Sequence, residues 1–265
     1  MTAAPVVTVI QARTGSSRLP AKVLLPLGGA TVLERMLERV IRARRAGVVM
    51  VATTTARRDD QIEAAAHRAG VPCFRGHPED LLDRHFQVAR RLGAAHVVKI
   101  PSDCPLIDPA VIDAVIGVYL DELGAYDYVS NLHPPTYPDG NDVEIMSFDA
   151  LAVAWRGAGE SYEREHTTPF LWGHPESFRV KNVRWETGKD LSLSHRIVLD
   201  YAEDYEVIRR IFDALYPDDP LFSLDAIVSY LEANPDVRGL NSRHRGVSWH
   251  SRQTTLSHLT PQVSL

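Results

Sequence analysis

Apolar positions along the chain fall into two rhythms. Runs of four or five mostly apolar residues at 6–10, 48–52, 71–74 and 97–100 predict buried parallel strands. Between them, apolar residues recur at helical spacing. The first such segment carries Val32, Leu33, Met36, Leu37, Val40 and Ile41 on one face and Glu34, Arg35, Glu38, Arg39 and Arg42 on the other, with Thr31 placed as its N-cap and Gly47 as its end. Helices are also expected at about 59–69, closed by Gly70, and at 79–92, where Leu82, Phe86 and Ala89 share a side. Arg75-Gly76 is read as a turn between them. Asp108-Pro109, an acidic cap followed by proline at the first helical position, opens a fourth helix to about residue 123. Four strand-helix alternations predict an α/β fold, a parallel sheet covered by helices on both faces.

From Tyr126 the pattern loosens. Short strands are predicted at 128–131, 143–146 and 197–199, the last running into Asp200, and 178–185 alternates weakly. Residues 133–142, HPPTYPDGND, form a Pro/Gly/Asp loop suited to a lid or a substrate-facing turn. Helices are expected at 148–155, at 163–172 with Pro169 limiting it, around Val207, Ile208, Ile211, Phe212 and Leu215, and at 223–231. From Ser242 the chain turns to Ser, Thr, His and Arg. The expected organisation is therefore one domain over 1–241 and a mobile polar tail or surface arm over 242–265.

Composition narrows the function classes. A chain of 265 residues with 45% hydrophobic and 24% charged residues can bury a sizeable core. Its net charge of −5 argues against a chain-wide nucleic-acid or anionic-membrane surface, so no such partner is expected. The start lacks a basic region followed by an apolar one, and no run of 18 apolar residues occurs, so a soluble cytoplasmic protein is expected. Cys73 and Cys104 have no zinc spacing and read as buried thiols.

The chemistry concentrates where strands end. The first strand empties into a loop holding Arg13, Gly15, Ser16, Ser17, Arg18 and Lys22. Three cations suit a polyphosphate, and Gly15 would permit a tight turn whose backbone N–H groups point at phosphate oxygens. The spacing is neither that of a Walker A loop nor of G-x-G-x-x-G, and a solvated basic loop is the other reading. Asp103 follows the fourth strand between two prolines, and Asp200 follows the last. Either could be a turn residue or a helix cap, but two strand-end carboxylates beside a cationic loop suit a metal-bound nucleoside triphosphate. The segment Glu163-Arg164-Glu165-His166 lacks the second histidine of a zinc peptidase motif, and no G-x-S-x-G elbow is present.

Taken in order, these motifs resemble a known family. Residues 11–22, QARTGSSRLPAK, are similar to the signature of the sugar-acid cytidylyltransferases that make CMP-activated Kdo and sialic acids, and more specifically to the branch containing the spore coat polysaccharide protein SpsF. Supporting matches are Ser102-Asp103-Cys104-Pro105, Pro138-Asp139-Gly140 with Asp142-Val143-Glu144, Arg164-Glu165-His166, and Asp200-Tyr201-Ala202-Glu203-Asp204. This chain has Pro101-Ser102 where related sugar-acid enzymes carry Gln-Gly. The resemblance implies a three-layer, Rossmann-like nucleotide-diphospho-sugar transferase fold and transfer of CMP from CTP to a small-molecule acceptor, with pyrophosphate leaving. It implies that Ala12, Arg13, Gly15, Ser16, Arg18, Lys22 and Ser102 bind the nucleotide, with Arg13, Lys22 and Asp103 catalytic. It further implies Mg2+ on Asp103 and Asp200, an acceptor met by Asp139, Asn141, Glu144, Glu163 and His166, and a homodimer with residues 133–142 as a candidate arm. Glu144 or His166 would orient or deprotonate the nucleophile. A glycosyltransferase of related fold would want an Asp-x-Asp motif, which Ser102-Asp103-Cys104 lacks; a phosphorylated or phosphonylated acceptor and a non-catalytic nucleotide-binding module stay open.

Overall fold

A computed structural model of the chain describes residues 5–247. β1 (Val6–Gln11) lies inside a seven-stranded sheet because both faces of its short apolar run are covered: Val7, Val9 and Ile10 are buried, and the Thr8 hydroxyl donates to the Ala46 carbonyl at 2.6 Å. A two-residue hairpin, β2 (Pro26–Leu27) with β3 (Ala30–Thr31), leads into α1 (Val32–Val40). Thr31 and Glu34 cap that helix reciprocally, so the predicted start is correct. Gly47 has φ +62°, and a Cβ there would collide with the Val6 carbonyl, so glycine is required where the chain re-enters the sheet.

β4 (Val48–Thr54), α2 (Asp60–Arg68), β5 (Cys73–Gly76), α3 (Leu81–Leu92), β6 (His96–Pro101) and α4 (Pro109–Asp121) complete the predicted alternation. β7 (Tyr128–Ser130), β8 (Glu144–Ser147), α5 (Phe148–Gly157), α6 (Ser161–His166), α7 (Pro169–Trp172), β9 (Val180–Asn182), α8 (Ala202–Leu215) and α9 (Leu224–Ala233) follow. The sheet order is β5-β4-β1-β6-β8-β7-β9, with β8 antiparallel to both its neighbours and the other pairings parallel. One face carries Ile10, Val51, Val98, Ile100 and Ile145 against α1, α2, α4, α8 and α9. The other carries Val7, Val9, Val97 and Met146 against α3, α5 and α7. This is the expected α/β/α sandwich with a mostly parallel sheet.

Several local expectations are corrected. Arg75 and Gly76 are not a turn; they belong to β5 and pair with Thr53 and Thr54. β5 is an edge strand, and Arg75 is satisfied there by the Thr54 and Ala56 carbonyls and by Asp60 at 2.6 Å, so a charged residue can end the strand. Cys73 is half-buried rather than buried, whereas Cys104 is buried. Residues 197–199 form no strand: Arg196 makes a single bridge with Asp139, and the segment is held as a buried loop. Residues 133–142 are neither lid nor projecting arm, since Thr136, Tyr137 and Asn141 are buried and Thr136 accepts from the Trp185 and Leu191 amides. The expected tail begins with a 3-10 turn, Ser242–His244, and residues 248–265 lie outside the described residues. Among the described residues no helix is long and apolar enough to cross a membrane.

Asp108 ties two helices together: one carboxylate oxygen accepts from the Ala110 amide at 2.7 Å and the other from the Leu224 amide at 2.6 Å. Replacing it by alanine removes two buried acceptors, and a loss of about 2–4 kcal/mol is expected in urea unfolding, with the slope unchanged.

Candidate functional site

The loop after β1 is built from within. Ala12 continues the strand by donating its amide to the Ala52 carbonyl at 3.1 Å. The next residue but one, Thr14, is fastened to the buried Asp59: its amide and hydroxyl both reach Oδ1, at 2.8 and 2.6 Å, while the Thr54 hydroxyl takes Oδ2. Burial works to raise the Asp59 pKa, but the Thr14 and Thr54 hydrogen bonds outweigh it and hold the carboxyl below its usual range. The loop closes where the Ala21 amide meets the Thr14 carbonyl at 3.0 Å, with Ala21 in the left-handed region at φ +53°. Gly15 therefore does not supply the turn. Its missing side chain matters differently, because a Cβ there would stand 3.2 Å from the Arg58 guanidinium, a further cation that leans over the loop. Ser16 accepts weakly from the Leu19 amide at 3.5 Å.

Lys22 brings the two predicted carboxylates together. Its ammonium donates to the Leu199 carbonyl at 2.7 Å, to Asp200 at 2.9 Å and to Asp103 at 3.5 Å, and the Leu199 amide in turn donates to the Asp103 carbonyl at 2.7 Å. Arg18 adds a 2.6 Å ion pair with Asp200. Burial favours a raised Asp200 pKa, but Lys22 and then Arg18 prevail and lower it. Arg13 instead reaches across to Glu165 of α6 at 3.5 Å. It lines a cleft with His77, Asp80, Ser161 and Arg164. Ser102 is buried beside Asp103.

A second cation organises the far wall. Arg196, almost wholly buried, pairs with Asp139 at 2.8 Å and with both oxygens of Asp204 at 2.9 and 3.0 Å. Asp204 then accepts the amides of Asp200 and Tyr201, each at 3.0 Å, fixing the start of α8. Gly140, at φ +115°, lies so close to the Ile197 and Val198 backbone that a Cβ would come within 2.7 Å. Burial pushes Asp139 up to about 7, with Arg196 pulling it down and Asp103 adding to the rise. Asp142 is raised well above its usual value by burial and by the charges of Asp139 and Asp103.

The residues expected to meet an acceptor divide. Asn141 is buried and occupied by the Asp108 amide and the Pro138 carbonyl, so it shapes the loop rather than facing a ligand. Glu163 accepts the Gly159 and Glu160 amides, both at 3.1 Å, which makes it the cap of its own helix. Glu144 is buried with Lys99 on one oxygen and the Tyr128 hydroxyl on the other at 2.6 Å. Both of its oxygens are thus engaged within the protein. His166 is half-buried in the same neighbourhood, with its pKa lowered to about 4 by burial and then by Lys99. Asp139 remains at the cleft edge, its side chain 29% exposed.

Asp103 and Asp200 fit a hard cation, because one ammonium already reaches oxygens of both, and magnesium takes one or two carboxylates with substrate phosphate and water. Among the described residues no group of three or more His, Cys, Asp or Glu is placed to hold a metal alone. Sequence reasoning missed Thr14, Arg58, Asp59, Lys99, Arg196 and Asp204. Thr14 and Asp204 carried a signal, as members of the 11–22 and 200–204 motifs; the others acquire a role through long-range contacts.

Comparison with known proteins bears on this arrangement. A family model described as cytidylyltransferase matches residues 7–231. The chain is 33% identical over 248 residues to the uncharacterized protein MJ1063 of Methanocaldococcus jannaschii, covering 92% of this chain and 97% of the relative. It is 30% identical to the spore coat polysaccharide biosynthesis protein SpsF of Bacillus subtilis, covering 86% and 95%. Among solved structures, a cytidylyltransferase from Leptospira borgpetersenii superposes with a TM-score of 0.84 at 32% identity, covering 88% and 96%.

The wall between α3 and the sheet makes stability pH-dependent. His85 is fully buried, its Nδ1 lies 2.8 Å from the Leu81 carbonyl, and burial lowers its pKa from 6.5 to about 3. Below pH 6.5 the unfolded chain binds a proton that the folded chain refuses, so stability present above that value is lost as pH falls toward 3, by up to about 1.4 kcal/mol per pH unit. Urea midpoints measured from pH 7 to 5 should fall less steeply in His85→Gln than in the unaltered protein.

Proposed function

The chain belongs to the cytidylyltransferase family, and from that membership we propose that it transfers CMP from CTP to a sugar acid or a related surface-polysaccharide precursor, releasing pyrophosphate. The observation that carries this reading is the single ammonium of Lys22 lying against Asp103 and Asp200 at the carboxyl ends of the sheet, with Arg18 beside it. Cations and carboxylates interleaved in this way suit a triphosphate that arrives with its own counter-ion.

In this reading Arg13, Arg18 and Lys22, with the backbone from Ala12 to Ser16, hold the triphosphate, and Ser102 flanks the nucleotide. Magnesium on Asp103 and Asp200 would supply charge neutralisation at the phosphates. Lys22 and Arg18 together offset the two carboxylates in the free protein, and Lys22 would offer its charge to the departing pyrophosphate. An acceptor oxygen attacks the α-phosphorus while the bond to pyrophosphate breaks. The chain contributes mostly position and charge, which is what phosphoryl chemistry asks of a protein.

The acceptor lies toward Asp139 and α6. His166, kept uncharged by burial, is placed to orient the attacking hydroxyl, and Glu144 acts behind it by holding Lys99. The similarity to a spore coat polysaccharide biosynthesis protein of Bacillus subtilis supports a polysaccharide precursor over a phosphorylated acceptor. The protein works in the cytoplasm, where CTP is made, and as a homodimer, for which light scattering should give about twice 29.5 kDa.

Asp103→Asn and Asp200→Asn should each lower pyrophosphate release from CTP by at least about 100-fold without loss of fold. Unchanged turnover in both variants would remove the metal assignment. Offered CTP, UTP, GTP and ATP with a panel of sugar acids, the protein should release pyrophosphate preferentially from CTP. Sugar transfer from an intact nucleotide sugar, without pyrophosphate, would make it a glycosyltransferase instead.

A further inference from the structure

Residues 241–247 lie beyond the stretch matched by the family model, and the polar composition from Ser242 onward suggested a surface arm. They instead fold back onto the wall that carries Asp200. Asn241, almost completely buried, donates its side-chain amide to the Arg196 carbonyl at 3.0 Å and to Asp204 Oδ1 at 2.9 Å. Arg196 reaches the Val247 carbonyl at 3.5 Å. Outside them, the His244 ring lies on Tyr201 with centroids 3.8 Å apart and planes 2° from parallel, and His244 and Arg243 both meet Glu203. The Arg18 guanidinium is 5.6 Å from the centroid of that same tyrosine.

We propose that this segment is a clamp for Asp200, with Asn241 as its positioning residue. Asp200 owes its backbone position to Asp204, which accepts its amide and that of Tyr201 through Oδ2. Asp204 is aimed by Arg196 on both oxygens and by Asn241 on Oδ1. Without Asn241, the Arg196 carbonyl loses its side-chain donor and Asp204 loses one of the two side chains that aim it, so the turn at Asp200 and Tyr201 gains freedom. His244 closes the same turn by covering Tyr201. Groups of this kind act through the residues they orient, and their loss changes ligand affinity more than it changes the fold.

The clamp is a statement about Asp200; its consequence for a cation rests on the metal reading given above, and two measurements separate them. Hydrogen exchange in metal-free protein reads the clamp directly. In Asn241→Ala the Asp200 and Tyr201 amides should exchange about tenfold faster while β1 amides keep their protection. Manganese titration followed by electron paramagnetic resonance reads the consequence, with the dissociation constant rising about tenfold. Equal exchange at Asp200 and Tyr201 in folded Asn241→Ala overturns the proposal. If that variant does not fold, His244→Ala takes its place, with faster exchange at Tyr201 expected and unchanged exchange overturning the clamp. Faster exchange in protein that binds no manganese, even unaltered, upholds the clamp and overturns the metal reading.

Discussion

Keeping like charges together is the constraint on which this site depends. Asp103, Asp139, Asp142, Asp200 and Asp204 converge from three separate stretches of chain, and each raises the cost of ionising its neighbours. Two cations make the arrangement possible. Lys22 bridges Asp103 and Asp200, while Arg196 bridges Asp139 and Asp204 and comes within 3.8 Å of Asp200. Their environments differ in a way that matters. Arg196 is enclosed and fully committed, as a planar guanidinium with several fixed donors suits. Lys22 is partly open, single-pointed and on a loop, which makes it the member of the pair that a ligand can recruit.

The same logic explains why the loops around the site are pinned by hydrogen bonds although they contain little regular structure. A loop free to move would let the carboxylates separate and relieve their repulsion. The loop after β1 is fastened through Thr14 to Asp59, the turn at Gly140 is pressed against Ile197, and Leu199 is hydrogen-bonded to Asp103. Asn131 grips both sides of Asp142, donating to the Asn141 carbonyl at 2.7 Å and accepting the Val143 amide at 3.0 Å. Such pinning holds charges in place before a ligand arrives, so little reorganisation is needed on binding.

Much of this was legible in the sequence, for reasons that particular residues make plain. The strand-helix alternation to Asp121 could be read because its apolar periods are clean and its caps, Thr31 and Asp108, are strong local signals. Arg18, Lys22, Asp103 and Asp200 could be picked out because each follows closely on an apolar run. Arg75 was misread because a guanidinium looks like a turn residue until the carbonyls that satisfy it at the sheet edge are known. Gly15 was given the tight turn of a loop whose left-handed residue is Ala21, and nothing local distinguishes a glycine required by φ from one required by the approach of Arg58. Glu163 and Asn141 looked chemically able but are consumed by their own backbones.

This division has a physical cause that also bears on specificity. Phosphate recognition works through charge and backbone close to one strand end, so its residues cluster in sequence. The proposed acceptor side draws on β6, β8, α3 and α6, where Lys99 and Glu144 are opposite partners in the sheet and His85 and His166 come from separate helices. A buried ion pair such as Lys99–Glu144 costs desolvation that its Coulomb attraction only partly offsets, so an apolar pair would serve stability as well. Its place beside His166 makes sense if it sets the polarity there. The acceptor side is thus the part of this architecture where a small change of side chain can redirect chemistry while the charged framework around Lys22 and Arg196 stays as it is.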